Sequence, residues 1–182
     1  MSSIKLVNQT KMSALIYMSQ GSTLSGRLPV GPGGSVVVPT TNSYIITGTI
    51  TMDDGNTYIS APVSFTSPSQ NVLAQVYQNE GTYTFQLVAS AGTAPSKITL
   101  SNSCKYPVQF AIVRNGSPLA SVIVVNDYDN AFVSTVQTYT FSGVVDGITT
   151  DPITSSDPNM IVAVQADNNP VADFQGYSLA FL

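Results

Sequence analysis

Residues 44–50 read YIITGTI, and residues 139–145 read YTFSGVV. In the first stretch Tyr44, Ile46 and Ile50 fall on one face, with threonines on most of the other. In the second, Tyr139, Phe141 and Val145 do the same. Apolar residues at period two mark a half-buried β-strand, because successive side chains of a strand point to opposite faces. The two stretches therefore predict strands, and they predict the same strand twice.

Working outward, the recurrence extends over the whole chain. IKLVNQTK (4–11) matches ITLSNSCK (98–105) at an offset of 94, with Ile, Leu, Asn and Lys in place. QGSTL (20–24) faces NGSPL (115–119), and SYIITG (43–48) faces TYTFSG (138–143), both at an offset of 95. Further on, MDDG (52–55) matches VVDG (144–147), NVLAQV (71–76) matches NMIVAV (159–164), and TYTFQLV (82–88) faces GYSLAFL (176–182). Landmarks in one order at a nearly constant spacing indicate an internal repeat. The halves meet at SAGTAPS (90–96), a small-residue stretch of linker composition.

Both halves carry the same strand signals. Ala14, Ile16 and Met18 alternate, as do Val108, Phe110 and Ile112; Tyr83, Phe85, Leu87 and Tyr177, Leu179, Phe181 are expected to face a core. Turn signals separate them: GPGG, DDGN, NEG, RNG, VDG and DNNP among others. No stretch of ten residues has a helical period. The expected fold is all-β: an internally duplicated antiparallel β-sandwich with roughly six to eight strands per half. Its two similar repeats, 1–91 and 92–182, would be related by a pseudo-two-fold, either as separate lobes or around one shared core.

Composition narrows the function. Apolar residues are 43% of the 182 and charged residues 9%, so Ser, Thr, Asn and Gln supply the polar surface. The net charge is −4 and the six cations are dispersed, which gives no footprint for nucleic acid. No apolar run is long enough for a membrane helix, and peripheral membrane contact is the remaining membrane expectation. The N-terminus has no signal-peptide pattern, so synthesis in the cytoplasm is expected, with release or non-classical export as later routes. With no histidine and one cysteine, the usual hydrolase triad, most zinc sites and any internal disulfide are excluded. Cys104 and Lys105, if on a strand, would point to opposite faces. Asp53-Asp54 lies in a hairpin signal, DDGN, and reads as a turn. An enzyme is not expected.

The halves differ in charge. Residues 1–91 hold three cations and three carboxylates, residues 92–182 three cations and seven aspartates. Two acidic segments account for the difference. NDYDN (126–130) occupies the place of GPGGS (31–35), and QADNNPVADFQG (165–176) is six residues longer than its counterpart YQNEGT (77–82). Together they present Asn126, Asp127, Tyr128, Asp129, Asn130, Asp167, Asn168, Asn169 and Asp173 as candidate ligand-binding residues. Calcium takes six to eight oxygens of these kinds, which makes Asp127, Asp129, Asp167 and Asp173 the candidate calcium ligands and Ca2+ the one candidate cofactor. The competing reading is a solvated turn, since Asp and Asn bond nearby backbone and tolerate left-handed conformations.

VNDYDNA (125–131) resembles part of the calcium loop of the two-calcium bacterial fucose-binding lectins, in which paired calcium ions ligate sugar hydroxyls. The resemblance covers seven residues; SVIVV stands where acidic residues lead into that loop, and the chain ends in Leu. It implies calcium-assisted sugar binding at the loop. The expected function is thus non-enzymatic recognition of a polyhydroxylated ligand such as a cell-surface glycan. The alternatives are a membrane-active, toxin-like protein and a structural protein that assembles into homo-oligomers.

Overall fold

The structure is a computed structural model, and it describes residues 1–125, 127–169 and 174–182. Among them it is all-β, with eighteen strands in four sheets. No helix is long and apolar enough to cross a membrane. Four strands open the chain: β1 (Ser3–Asn8), β2 (Ala14–Gln20), β3 (Thr23–Val30) and β4 (Ser35–Pro39). Five follow: β5 (Tyr44–Thr51), β6 (Thr57–Ile59), β7 (Val63–Phe65), β8 (Gln70–Asn79) and β9 (Thr82–Ala91). Four more follow: β10 (Lys97–Asn102), β11 (Val108–Arg114), β12 (Ser117–Val124) and β13 (Asn130–Ser134). The last five are β14 (Tyr139–Val145), β15 (Ile148–Thr149), β16 (Ile153–Ser155), β17 (Ile161–Asn169) and β18 (Phe174–Phe181).

The chain forms two compact units, and they are not the two sequence repeats. One unit joins residues 1–41 to 137–182; the other is the continuous stretch 42–136. Each unit thus joins four strands from one half of the chain to five from the other. The small-residue stretch 90–96, expected between domains, lies inside the continuous unit, where Gly92 N–H bonds Ser69 O (3.3 Å) and Ser69 Oγ bonds Ala94 O (2.7 Å).

Pairing is the same in both units. In the continuous unit one sheet runs β13-β10-β8-β9, and the other runs β12-β11-β5-β6 with β7 also on β5. In the discontinuous unit the corresponding sheets are β4-β1-β17-β18 and β3-β2-β14-β15, with β16 on β14. One sheet of each unit is mixed rather than wholly antiparallel, since β10 lies parallel to β8 and β1 parallel to β17, while the other sheet of each unit is antiparallel throughout. This parallel pair arises where the two strand blocks meet, so a pattern of hairpins alone does not foretell it.

Each unit has its own buried cluster drawn from both of its sheets. Tyr44, Ile46, Val72, Leu100, Phe110 and Ile112 are among its members in the continuous unit, and Ile4, Leu6, Ile16, Phe141, Val162 and Val164 in the other. The period-two reading of YIITGTI is correct: Tyr44, Ile46 and Ile50 are buried, and Gly48 joins them. Gly48 is small because Leu87 and Phe85 pack over it; an added Cβ would lie 3.0 Å from Leu87 Cδ2. The expectation fails at two strand ends. Phe85 and Leu87 are buried but Tyr83 is 62% exposed, and Leu179 is buried but Phe181 is 45% exposed. Phe181 still meets buried Phe141 of the opposing sheet edge-on, with ring centroids 6.5 Å apart.

Buried asparagines hold the turn after the first strand of each block. Asn102 Nδ2 donates to Tyr106 O (2.9 Å) and Val124 O (3.1 Å), while its Oδ1 accepts from Cys104 N–H (2.7 Å). Asn8 does the same with Met12 O (2.7 Å), Val30 O (2.9 Å) and Thr10 N–H (2.9 Å). A carboxamide suits this place because it offers two donors and an acceptor to backbone groups that no ladder satisfies.

Candidate functional site

The bend held by Asn102 builds a cleft. Residues 103–107 are not strand, so Cys104, Lys105 and Tyr106 turn toward one space rather than to opposite faces. Opposite them stands the β5–β6 turn. There Gly55 takes the left-handed conformation (φ 76°), and Met52 and Asn56 close the loop (3.1 Å). The β8–β9 hairpin supplies Val76 and Tyr83. The result is a cleft of about 410 Å³ within the continuous unit, with Tyr58, Tyr83 and Tyr106 around Asp53, Asp54 and Lys105.

Its polar groups are paired among themselves. Asp54 accepts from the Asn56 backbone N–H (2.9 Å), the Asn56 side chain (2.8 Å) and Tyr58 Oη (2.9 Å). The two Asn56 donors, followed by the Tyr58 hydroxyl, hold the Asp54 carboxyl below its ordinary value. Tyr58 in turn is raised, chiefly by that hydrogen bond to a carboxylate. Tyr106 Oη donates to Asp53 and is raised for the same reason. Lys105 Nζ lies 3.7 Å from the same Asp53 oxygen and 5.3 Å from the centre of the Tyr106 ring, and Tyr106 first, Asp53 next, hold it above its ordinary value. At the floor Cys104 is buried, and burial, with Asp127 adding a smaller charge effect, pushes its thiol up to about 11. That thiol is protonated at neutral pH and lacks the nucleophile's charge. The cleft offers ionised hydroxyl acceptors, a cation and aromatic faces.

The discontinuous unit has a cleft in the matching place. It measures about 460 Å³ and is lined by Thr10, Lys11, Met12, Asp146 and Tyr177 among others. Thr10 and Lys11 stand where the other cleft has Cys104 and Lys105, and Met12 replaces Tyr106. The tyrosine cluster belongs to one unit only.

The acidic residues singled out in the sequence are placed elsewhere. Asp127, Tyr128, Asp129 and Asn130 are exposed in the connection between β12 and β13. It is a turn: Tyr128 is left-handed (φ 69°), as Gly33 is at the matching place (φ 66°). Tyr128 N–H donates to Asn102 O (2.7 Å), and Asn102 N–H to Asp129 O (3.2 Å), while Asn130 Oδ1 accepts from Ser101 Oγ (2.7 Å). Asp167, exposed, and the backbone of Asn168 and Asn169 belong to β17 in the discontinuous unit, so Asp127 and Asp129 do not share a unit with Asp167. Asn126 and Asp173 lie outside the described residues. Among the described residues no three His, Cys, Asp or Glu side chains are grouped to hold a metal ion.

Sequence reasoning passed over the tyrosine cleft because its parts come from three turns. The available signal was the pair NSCKY and DDGNTY, each placing a tyrosine just after polar turn residues. Compared with known protein families, curated proteins and solved structures, the chain finds no match.

Proposed function

We propose that this protein is a non-enzymatic recognition protein that takes a polyhydroxylated ligand, a glycan, in the tyrosine-lined cleft of residues 42–136. The observation that carries the reading is the grouping of Tyr58, Tyr83 and Tyr106 around Asp53, Asp54 and Lys105. Tyrosine rings stack on the apolar face of a sugar, and carboxylate oxygens with spare lone pairs accept its hydroxyls. Asp54 suits that part because its partners keep it ionised. Tyr83 is the free arm of the site, since it is largely exposed and lies at a hairpin end.

The chain is further read as an internal duplication. The matching order and pairing of β1–β9 and β10–β18 support this, as does the second cleft at Thr10, Lys11 and Tyr177. Calcium assistance, at the turn that carries Asp127 and Asp129, is part of the proposal, and the same experiment examines it. A glycan array is probed with the chain in calcium and in chelator. Wild type should bind a restricted glycan set, and Tyr83→Ala should weaken it about 2–12-fold, the loss of one stacked ring. Loss in chelator would assign calcium a part. No glycan bound under either condition, or undiminished binding by Tyr83→Ala, refutes the cleft reading.

A further inference from the structure

We infer that the discontinuous unit also closes between two copies of this chain, by exchange of residues 1–41 and 137–182. Neither segment is complete alone. Within the unit, β1 and β4 come from the first segment and β17 and β18 from the second; β2 and β3 come from the first and β14, β15 and β16 from the second. The buried cluster is split in the same way: Ile4, Leu6, Ile16 and Met18 from one segment, Tyr139, Phe141, Val162 and Val164 from the other. Each segment by itself would leave two strands open along one edge, β1 and β2 or β17 and β14, together with half a core. Such edges are templates for pairing.

The joint is built from backbone and side-chain bonds that are indifferent to which chain supplies them. β14 pairs β2 from Tyr139↔Gln20 to Val145↔Ala14, and β1 pairs β17 from Lys5↔Ile161 to Asn8↔Val164. Gly21 N–H donates to Thr138 O (2.9 Å), Lys5 N–H to Met160 O (2.9 Å) and Thr40 Oγ1 to Pro158 O (2.8 Å). What differs between the two units is the tether across this joint. In the continuous unit β9 and β10 are joined directly by residues 92–96. In the discontinuous unit the equivalent strands, β18 and β1, are not consecutive, and the two segments are connected through residues 42–136. A short tether gives a local concentration of millimolar order that a second copy rarely matches. The joint without that tether is the one where a second copy competes, and the same contacts then form an exchanged dimer.

The test uses the whole chain with Cys104→Ser and one cysteine pair across a joint. Ser19→Cys with Thr140→Cys spans the discontinuous unit, and Thr47→Cys with Ala111→Cys spans the continuous one; both pairs face each other in the ladders. Directly opposed residues of antiparallel strands have Cα atoms about 4.5–5.5 Å apart, within disulfide range. Each protein is unfolded, refolded at about 1 μM and about 500 μM, oxidised and run without reductant, the upper value approaching the millimolar tether concentration. The Ser19/Thr140 pair should give covalent dimers at least 10-fold more abundant at the higher concentration, while the Thr47/Ala111 pair closes within one chain at both. Cross-links confined to single chains for both pairs would overturn the inference. Light scattering on the unmodified chain through the same series guards against a variant that fails to fold. Twice the monomer mass is expected after concentrated refolding, and monomer throughout is the overturning result.

Discussion

Replacing Asn102 by alanine tests the account of the cleft at its root. Asn102 is 1% exposed, and its removal strands two carbonyls, Tyr106 O and Val124 O, and one donor, Cys104 N–H. One buried polar group left without a partner costs about 1–3 kcal/mol. The Tyr106 carbonyl is only partly buried and recovers some hydration, so the three together should cost about 3–5 kcal/mol. At a slope of about 2 kcal/mol per molar urea, the midpoint falls by roughly 2 M. Urea unfolding followed by far-ultraviolet circular dichroism and by tyrosine emission reads this directly. Asn130→Ala is the comparison, since it removes one exposed bond to Ser101 Oγ and should stay within about 0.5 kcal/mol. Asn8→Ala should repeat the large loss in the other unit, because its bonds to Met12 O, Val30 O and Thr10 N–H are the same set. The reasoning is refuted if Asn102→Ala costs under about 1 kcal/mol, or no more than Asn130→Ala.

Three further outcomes are expected. Tyr44 Oη is buried without a hydrogen-bond partner, so Tyr44→Phe should raise stability by about 1 kcal/mol in the same urea assay. Gly48→Ala should cost about 1–3 kcal/mol because its Cβ meets Leu87 and Phe85 at 3.0 and 3.1 Å, whereas Gly143→Ala, with Thr150 at 3.5 Å, should be nearly neutral. The Cys104 thiol is raised from 9.0 to about 11, so alkylation of the native chain at pH 8 should run about 100-fold slower than in urea and accelerate as pH climbs toward 11. Because the unfolded chain gives up this proton first, stability is unaffected below pH 9 and declines between pH 9 and 11.

The strands were legible because one face of each is buried and the pattern has period two, as in YIITGTI. The likeness of IKLVNQTK and ITLSNSCK has a physical reason at its asparagine, since Asn8 and Asn102 bond matching backbone groups. The exchange of blocks was not legible. Hydrophobic alternation says which face of β2 is buried, and it is silent on whether β5 or β14 lies beside it, since both carry the same pattern. The cleft was hidden for a related reason. Asp53, Cys104 and Tyr83 are far apart in sequence, and the opposite-face rule for Cys104 and Lys105 assumed a strand where Asn102 has imposed a bend. The segment that carries Asp127 and Asp129 is a turn, as expected for the place of GPGGS, since Tyr128 takes the same left-handed backbone as Gly33.

The split unit also sets a schedule for biosynthesis. Residues 1–41 leave the ribosome first, yet the strands they pair with begin at Tyr139. The middle unit, 42–136, has all its partners within reach as soon as it emerges. The N-terminal segment instead waits with the apolar faces of β1 and β2 uncovered until β14 and β17 have been made. During that interval neighbouring chains on one message present the same uncovered faces, so translation rate and ribosome spacing become determinants of how the finished molecules are partnered.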